Sequence, residues 1–528
     1  MKRRSFLKTA APVLATPLLM NGLKLNALSR SPVFDELASA LAVTDRYLVL
    51  IQLNGGNDGI NTVIPLDQLS VYNQVRSRIA IPESKALKIS DASALHPAMT
   101  GIQTMFKDGM ATLIQGVTYP NPNQSHFRST DIWMTGSDSN QYIGSGWAGR
   151  YLTTEYPNYP KGYPNAQYPD PPAIQIGAVM PLALMGPSQN MGLAIQDPNT
   201  FYTTMNAIAQ GNYPAPPATK PGNELAFIRQ VQGESKQYSK TIKDAYDKAT
   251  NKVTYPTAQQ NSLAVQMATV ARLIAGGLKT RIYVVQIGGF DTHALQVDDA
   301  DTTTGAHATL LGRVSESVAL FYQDLKQLGV QDKVLSMTFS EFGRRVEANG
   351  SAGTDHGTAA PMFVFGTQVN PGIIGVNPSL TDLDNQNLKM QHDYRSVYFS
   401  VLKQWFGADS AALRTAVFRD FPELPIIKTS STSVSENDAF ATAAALSNYP
   451  NPVANGGTTI RYTLPDAAEV NIRIMDANGR MITTLAGGYQ QAGTQQLHFD
   501  ANGLANGMYI IEVRAGLRRA ATTMVVER

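Results

Sequence analysis

Six short apolar runs constrain this chain most, because glycine or polar residues adjoin every one of them. They are RYLVLIQL (46–53), ATLIQGV (111–117), AIQIG (173–177), RIYVVQIGG (281–289), KVLSMTF (333–339) and PMFVFG (361–366). Runs this short and this apolar read as buried strands. Helical patterns lie between some of them. Leu311, Val314, Val318, Phe321, Leu325 and Leu328 recur at helical spacing, and residues 261–278 behave similarly. Strands that alternate with amphipathic helices predict an α/β fold, a mainly parallel sheet with helices on both faces. In such sheets ligands bind beyond the carboxyl ends of the strands.

That rule selects the residues worth weighing. The first run ends near Asn54 and Asp58. The second leads to Ser125, His126 and Arg128. The fourth ends in GGFDTH, with Asp291 and His293, and the fifth in SEFGRR, with Glu341 and Arg344. Asp355 and His356 stand in GTDHG, just before the sixth, and His392 adjoins Asp393. The chain has seven histidines, and His293 and His356 each lie within two residues of an aspartate. Asp, His and Asp, His with a later His make a ligand set for one or two divalent ions. Imidazole and carboxylate suit zinc or manganese, and magnesium or calcium stay open. Each member also has a plainer reading. Asp291 and Thr292 could cap a helix. Asp355, His356 and Gly357 could form a turn. Glu341 and Arg344 could be a structural ion pair instead of a ligand and an anion clamp. His307 and His96 read as structural.

Composition removes several alternatives. The 528 residues exceed one simple core, so two or more domains are expected. The 43 basic and 41 acidic residues nearly cancel, which gives no electrostatic case for nucleic acid. With no cysteine, disulfides, thiolate metal sites and a cysteine nucleophile are excluded.

The two ends read as addresses. Lys2, Arg3, Arg4 and Lys8 precede a short apolar run at 10–20 that Pro12 and Pro17 interrupt. This is the layout of an export signal over residues 1–29. No later stretch is long and apolar enough to span a bilayer. Residues 429–447 form a polar, small-residue linker. In residues 448–528, Ile460, Tyr462 and Leu464 alternate with polar residues, as do Val470, Ile472 and Ile474. That tail is expected to be a small antiparallel β-sandwich.

Three resemblances sharpen these readings. Arg3-Arg4-Ser5-Phe6-Leu7-Lys8 resembles the twin-arginine signal. Tyr449-Pro450-Asn451-Pro452, residues 476–480 and Gly507-Met508-Tyr509-Ile510 resemble the C-terminal sorting domain of the Bacteroidota type IX secretion system. Together they imply export machinery as a partner at both termini, periplasmic transit, and a final place at the cell surface or outside. The motifs LNGGNDGINTVIP, ALHPAM, QSHFRSTDIW, GWAGRYL, GGFDTH, FSEFGRR, GTDHG and HDYRSV occur in this order between residues 53 and 397. They resemble domain-of-unknown-function family 1501, which is grouped with the alkaline-phosphatase-like fold; the expected domain spans 45–428.

That superfamily implies a metal-dependent hydrolase of phosphate or sulfate esters, acting on a small-molecule or glycan ester. By resemblance, Ser125 would be the nucleophile. Asp58, Asp291, His293, Asp355, His356 and His392 would hold the metal, and Arg128 or Arg344 would hold a substrate oxygen. Glu341 joins them as a candidate catalytic group. The alternative on the same fold is a non-catalytic surface protein that binds glycan, peptide or a partner chain.

Overall fold

The computed structural model describes residues 45–207, 216–217, 219–428, 446–464, 467–476, 481–515 and 518–528. The export signal, most of the linker and residues 477–480 of the expected tail turn lie outside them. The chain divides into two compact units, residues 1–428 and 429–528.

Twelve strands belong to the first unit: β1 Tyr47–Leu53, β2 Val63–Pro65, β3 Leu87–Lys88, β4 Ser93–Leu95, β5 Ala111–Thr118, β6 Ala173–Ile176, β7 Leu193–Ile195, β8 Ile282–Ile287, β9 Val334–Phe339, β10 Ala360–Phe365, β11 Gly372–Ile374 and β12 His392–Asp393. Nine of them form one sheet in the order β11-β5-β10-β9-β1-β8-β6-β7, with β12 beside β5. The pairs β1–β8, β1–β9, β6–β8, β6–β7, β5–β11 and β5–β12 are parallel. Only β10 runs against its neighbours. The mainly parallel α/β sheet expected from the sequence is therefore present. β2, β4 and β3 make a small separate sheet.

Every residue of β1 is buried, so both faces of the sheet are covered at its centre. Leu48, Val49, Leu50 and Ile51 are each 1% exposed or less. Burying side chains of this size stabilises by roughly 1.5–3 kcal/mol apiece. The helices Ser262–Ala275 and Ala306–Gln327 contribute Met267, Val270, Val318 and Phe321 to the same core. No helix of the described residues is long and apolar enough to cross a membrane.

The reversed direction of β10 matters for the site. It puts the start of β10 on the same rim as the ends of β1, β5, β8 and β9. Four loops that are far apart in sequence, those after β1, β5 and β8 and the one joining β9 to β10, thus meet at one edge of the sheet.

The second unit holds two antiparallel sheets. They are β13 Ser447–Tyr449, β14 Gly457–Leu464 and β17 Gly493–Asp500, then β16 Met481–Gln490, β15 Ala468–Asp476, β18 Gly507–Ala515 and β19 Arg518–Val526. Ile460, Tyr462, Leu464, Val470, Ile472 and Ile474 all point into its core, as their period of two predicts.

Candidate metal centre

Arg344 ties the rim together. Its side chain is fully buried. It donates to the carbonyls of Gly56 (2.6 Å), Thr354 (3.0 Å), Phe290 (3.1 Å) and Gly55, and to Asp291 Oδ1 (2.7 Å). One guanidinium thereby ties the loops after β1 and β8 to its own loop between β9 and β10. The backbones approach too closely for side chains at two points. Gly55 has φ +121°, and a Cβ there would lie 2.4 Å from the Asp291 nitrogen. A Cβ on Gly357 would lie 2.3 Å from the Arg344 carbonyl carbon.

Three imidazoles and one carboxylate converge above this hub. His126 Nε2 lies 3.4 Å from Asp291 Oδ2. His293 Nε2 and His356 Nε2 lie 3.1 and 3.4 Å from Asp291 Oδ1, and 2.9 Å from each other. Donor atoms bound tetrahedrally at about 2.0–2.1 Å are separated by about 3.3 Å. The four contacts cluster around that edge length. Moreover, His126 Nε2 is buried and has no hydrogen-bond partner, although it faces Asp291. The 3.4 Å separation is therefore an electrostatic approach, not a hydrogen bond. A cation between the two groups would satisfy both.

The outer nitrogens fix the tautomers. His126 Nδ1 is 2.9 Å from Glu341 Oε1, an oxygen that also accepts from the Gly55 N–H at 2.8 Å. His356 Nδ1 is 2.8 Å from the Gln124 carbonyl oxygen. Both oxygens are acceptors, so both Nδ1 atoms carry the proton and both Nε2 lone pairs face inward. His293 Nδ1 sits 3.4 Å from Asp355 Oδ1. With a donor Nδ1 there as well, all three inward nitrogens are bare. Without a cation, the 2.9 Å His293–His356 contact needs an extra proton. An outer acceptor on every ligating imidazole is the habit of protein metal sites.

Electrostatics favour the same arrangement. Burial alone would raise the Asp291 carboxyl, but Arg344 and the imidazoles outweigh it and hold the group below its ordinary range. Asn349 holds Asp355 down, against partial burial and with help from His293. Burial, helped by Arg344 and the other imidazoles, lowers the His356 value against the hydrogen bond to the Gln124 carbonyl. The side chains of Asp291 and His293 are 46% and 44% exposed, so one side of the cluster is open to a ligand.

The structure brings Asp291, His293 and His356 together. Asp355 and Glu341 sit one layer out, each on the far nitrogen of an imidazole. Asp58 does not reach the cluster. It is fully buried, pairs with Arg76 at 2.6 Å, accepts from Gln296 at 2.6 Å, and caps the turn Gly59–Thr62. His392, on β12, pairs with Val117 of β5, and its Nε2 lies near Gly375. Arg128 donates to the Ser139 carbonyl and stacks on Tyr142, so its charge is spent on its own loop. Arg344 is spent on the hub. Ser125 opens the helix His126–Thr135 with an exposed side chain that makes no capping bond. His307 is buried, with Nε2 3.0 Å from Asn57 Oδ1, and His96 is buried as well.

His126 is the ligand candidate absent from the sequence-based set. In QSHFRS the serine draws the nucleophile role, and the histidine beside it has no adjacent carboxylate. The available signal is position: it follows β5 at the rim, as Asp291 follows β8.

Glu341→Gln provides a first prediction. It keeps the shape and the Gly55 contact but removes the negative acceptor on His126. Metal affinity is expected to fall about 10–100-fold, read by competition with a chelating dye. Unchanged affinity would remove Glu341 from the site.

Residues 45–412 match the family described as protein of unknown function (DUF1501). Residues 447–527 match the secretion system C-terminal sorting domain. No curated protein matches the chain. Among solved structures, PsFucS1 sulfatase from Pseudoalteromonas sp. is 10% identical with a TM-score of 0.34, over 89% of this chain and 88% of that one. A protein in the alkaline phosphatase superfamily from Vibrio parahaemolyticus is 8% identical with a TM-score of 0.31, over 92% and 82%. PorZ, a surface component of the type-IX secretion system of Porphyromonas gingivalis, is 24% identical with a TM-score of 0.13 over 20% of this chain, which spans 14% of PorZ. Likeness at such TM-scores says nothing of chemistry, so the site stands on its own residues.

Proposed function

We propose that this chain, which belongs to the DUF1501 family, is an exported metal-dependent hydrolase of phosphate or sulfate esters. The observation that carries the reading is the grouping of His126, Asp291 and His356 within ligand reach of one another, with His293 Nε2 2.9 Å from His356 Nε2 and each imidazole backed by an acceptor. Nitrogen-rich donors suit zinc or manganese. Such an ion, when bound, supplies Lewis-acid stabilisation of a substrate oxygen.

The chain's own groups do the rest. Ser125 Oγ, exposed beside the ligand His126, attacks the phosphorus or sulfur. The Oγ bond to that atom forms, the bond to the alcohol oxygen breaks, and the alcohol leaves with a proton taken from solvent. The serine's own proton passes to solvent, and water later cleaves the serine ester. The first N–H groups of the helix His126–Thr135 face the incoming anion and favour it. The sorting tail directs the protein toward the cell surface or the exterior.

A non-catalytic binding role on the same rim is the second reading. It is favoured by one fact: among the described residues a single group of three metal-capable side chains is found, His126, Asp291 and His356, and a two-ion clamp needs two. Metal analysis followed by an ester screen separates the readings. The expected result is about one divalent ion per chain and hydrolysis of 4-nitrophenyl phosphate or sulfate that a chelator abolishes. A folded, metal-loaded protein inert toward the whole panel would sink the hydrolase reading. Absence of any bound ion would sink the metal centre itself.

A further inference from the structure

We propose that the open cavity beside the imidazole cluster seats the alcohol half of the ester, and that this alcohol is a sugar carrying its own negative charge. The inference rests on the ester reading above. The cavity measures about 540 Å³, and Asn121, Gln124, Arg345, Asn385 and Asn387 line it. That volume suits one or two sugar rings.

Adjacency comes first. Gln124 forms part of the cavity wall, and its carbonyl is the acceptor for His356 Nδ1. The Arg345 N–H donates to the Asp355 carbonyl at 3.0 Å. The cavity therefore begins where the outer layer of the cluster ends. The alcohol of an ester held at the inward nitrogens would pass the His356 ring to reach this space.

The lining then selects the chemistry. The amides of Gln124, Asn387 and Asn385 each spend one donor within the wall, on Asn387 Oδ1, the Asn385 carbonyl and Asp384 Oδ1, and the donors and acceptors left match a ring of hydroxyls that both give and take hydrogen bonds. Leu388 and Met390 add apolar surface for the C–H face of a ring.

The charge selects the substituent. Arg344 is saturated by the fold, but its neighbour Arg345 is not. Arg345 Nη1 bonds Gln386 Oε1 at 2.9 Å, while its Nε is buried without a partner. Arg345 nevertheless lines the cavity, and the best partner for guanidinium donors at its wall is an anionic oxygen. The other charges at the wall do not replace it. Lys389 is bonded to Asp382, and Asp384 is exposed.

The test uses the full chain and two probes, a hexuronate and glucose, with binding followed by saturation-transfer NMR. The hexuronate is expected to bind about tenfold more tightly than glucose. Arg345→Ala should erase that preference, Arg345→Lys should restore part of it, and Asn385→Ala should weaken both sugars alike. Equal binding of the two sugars, or binding of neither, by protein with an unchanged melting curve overturns the proposal. Hydrolysis of 4-nitrophenyl esters is read separately. Its absence sinks the ester reading, whereas absence of charge-selective sugar binding sinks this one.

Discussion

His126→Ala is expected to cost more than any other single change in metal affinity outside Asp291. The loss should exceed the roughly 10–100-fold that follows removal of an outer partner, because a ligand atom itself disappears. Its buried Nε2 has no other partner to lose, and its Nδ1 releases only Glu341. The fold should survive. His126 sits in the first turn of its helix, its side chain is 32% exposed, and its ring rests on Phe342 and His356 at the surface of the rim. Competition with a chelating dye gives the affinity, and a melting curve checks the fold. His392→Ala serves as the contrast and should leave affinity unchanged, since that ring lies with β12 and Gly375. Should His392→Ala abolish binding while His126→Ala spares it, the ligand set drawn here is wrong.

The contrast shows what the sequence carried. The six apolar runs are legible because a strand buried on both faces has no polar alternation to confuse it. β11 and β12 are not legible. They are two or three residues long and owe their pairing to β5, a partner far away in sequence. Asp291, His293 and His356 stood out because carboxylate and imidazole lie close together in the chain. His126 did not, since its carboxylate neighbours, Glu341 and Asp291, come from other strand ends. Asp58 illustrates the opposite error. It follows β1 in a glycine-rich loop, as a ligand would, yet its partner is Arg76, which no motif links to it. Local spacing reports which residues follow a strand. It does not report whether the side chain faces the rim or the layer beneath it.

Asp58→Ala is therefore expected to act on stability and not on metal content. Asp58 and Arg76 are both completely buried and lie 2.6 Å apart. Arg76 also donates to the Val346 and Arg345 carbonyls, so it stays buried when its partner is removed. Stranding a charge in this way costs about 3–5 kcal/mol. Asp58 also supports the site from below. Its Oδ2 accepts from Gln296, whose Oε1 accepts from Thr292 and Thr354, neighbours of Asp291, His293 and Asp355. The loss can be followed cleanly in the full chain. All three tryptophans, Trp133, Trp147 and Trp405, are buried in the first unit, so their fluorescence in urea reports that unit alone. The pH dependence has a defined sign. Burial would raise the Asp58 carboxyl, but Arg76, His307 and the Gln296 hydrogen bond together overcome it and lower the value from 3.8 to about 2. A carboxyl depressed in the folded state contributes stability above its unfolded value and loses it on acidification. The wild type should therefore lose this contribution between about pH 4 and pH 2, and Asp58→Ala should show no such loss there. Below the urea transition the variant should still hold its metal. An Asp58→Ala protein that unfolds like the wild type but binds no ion would return Asp58 to the ligand set and remove it from the core.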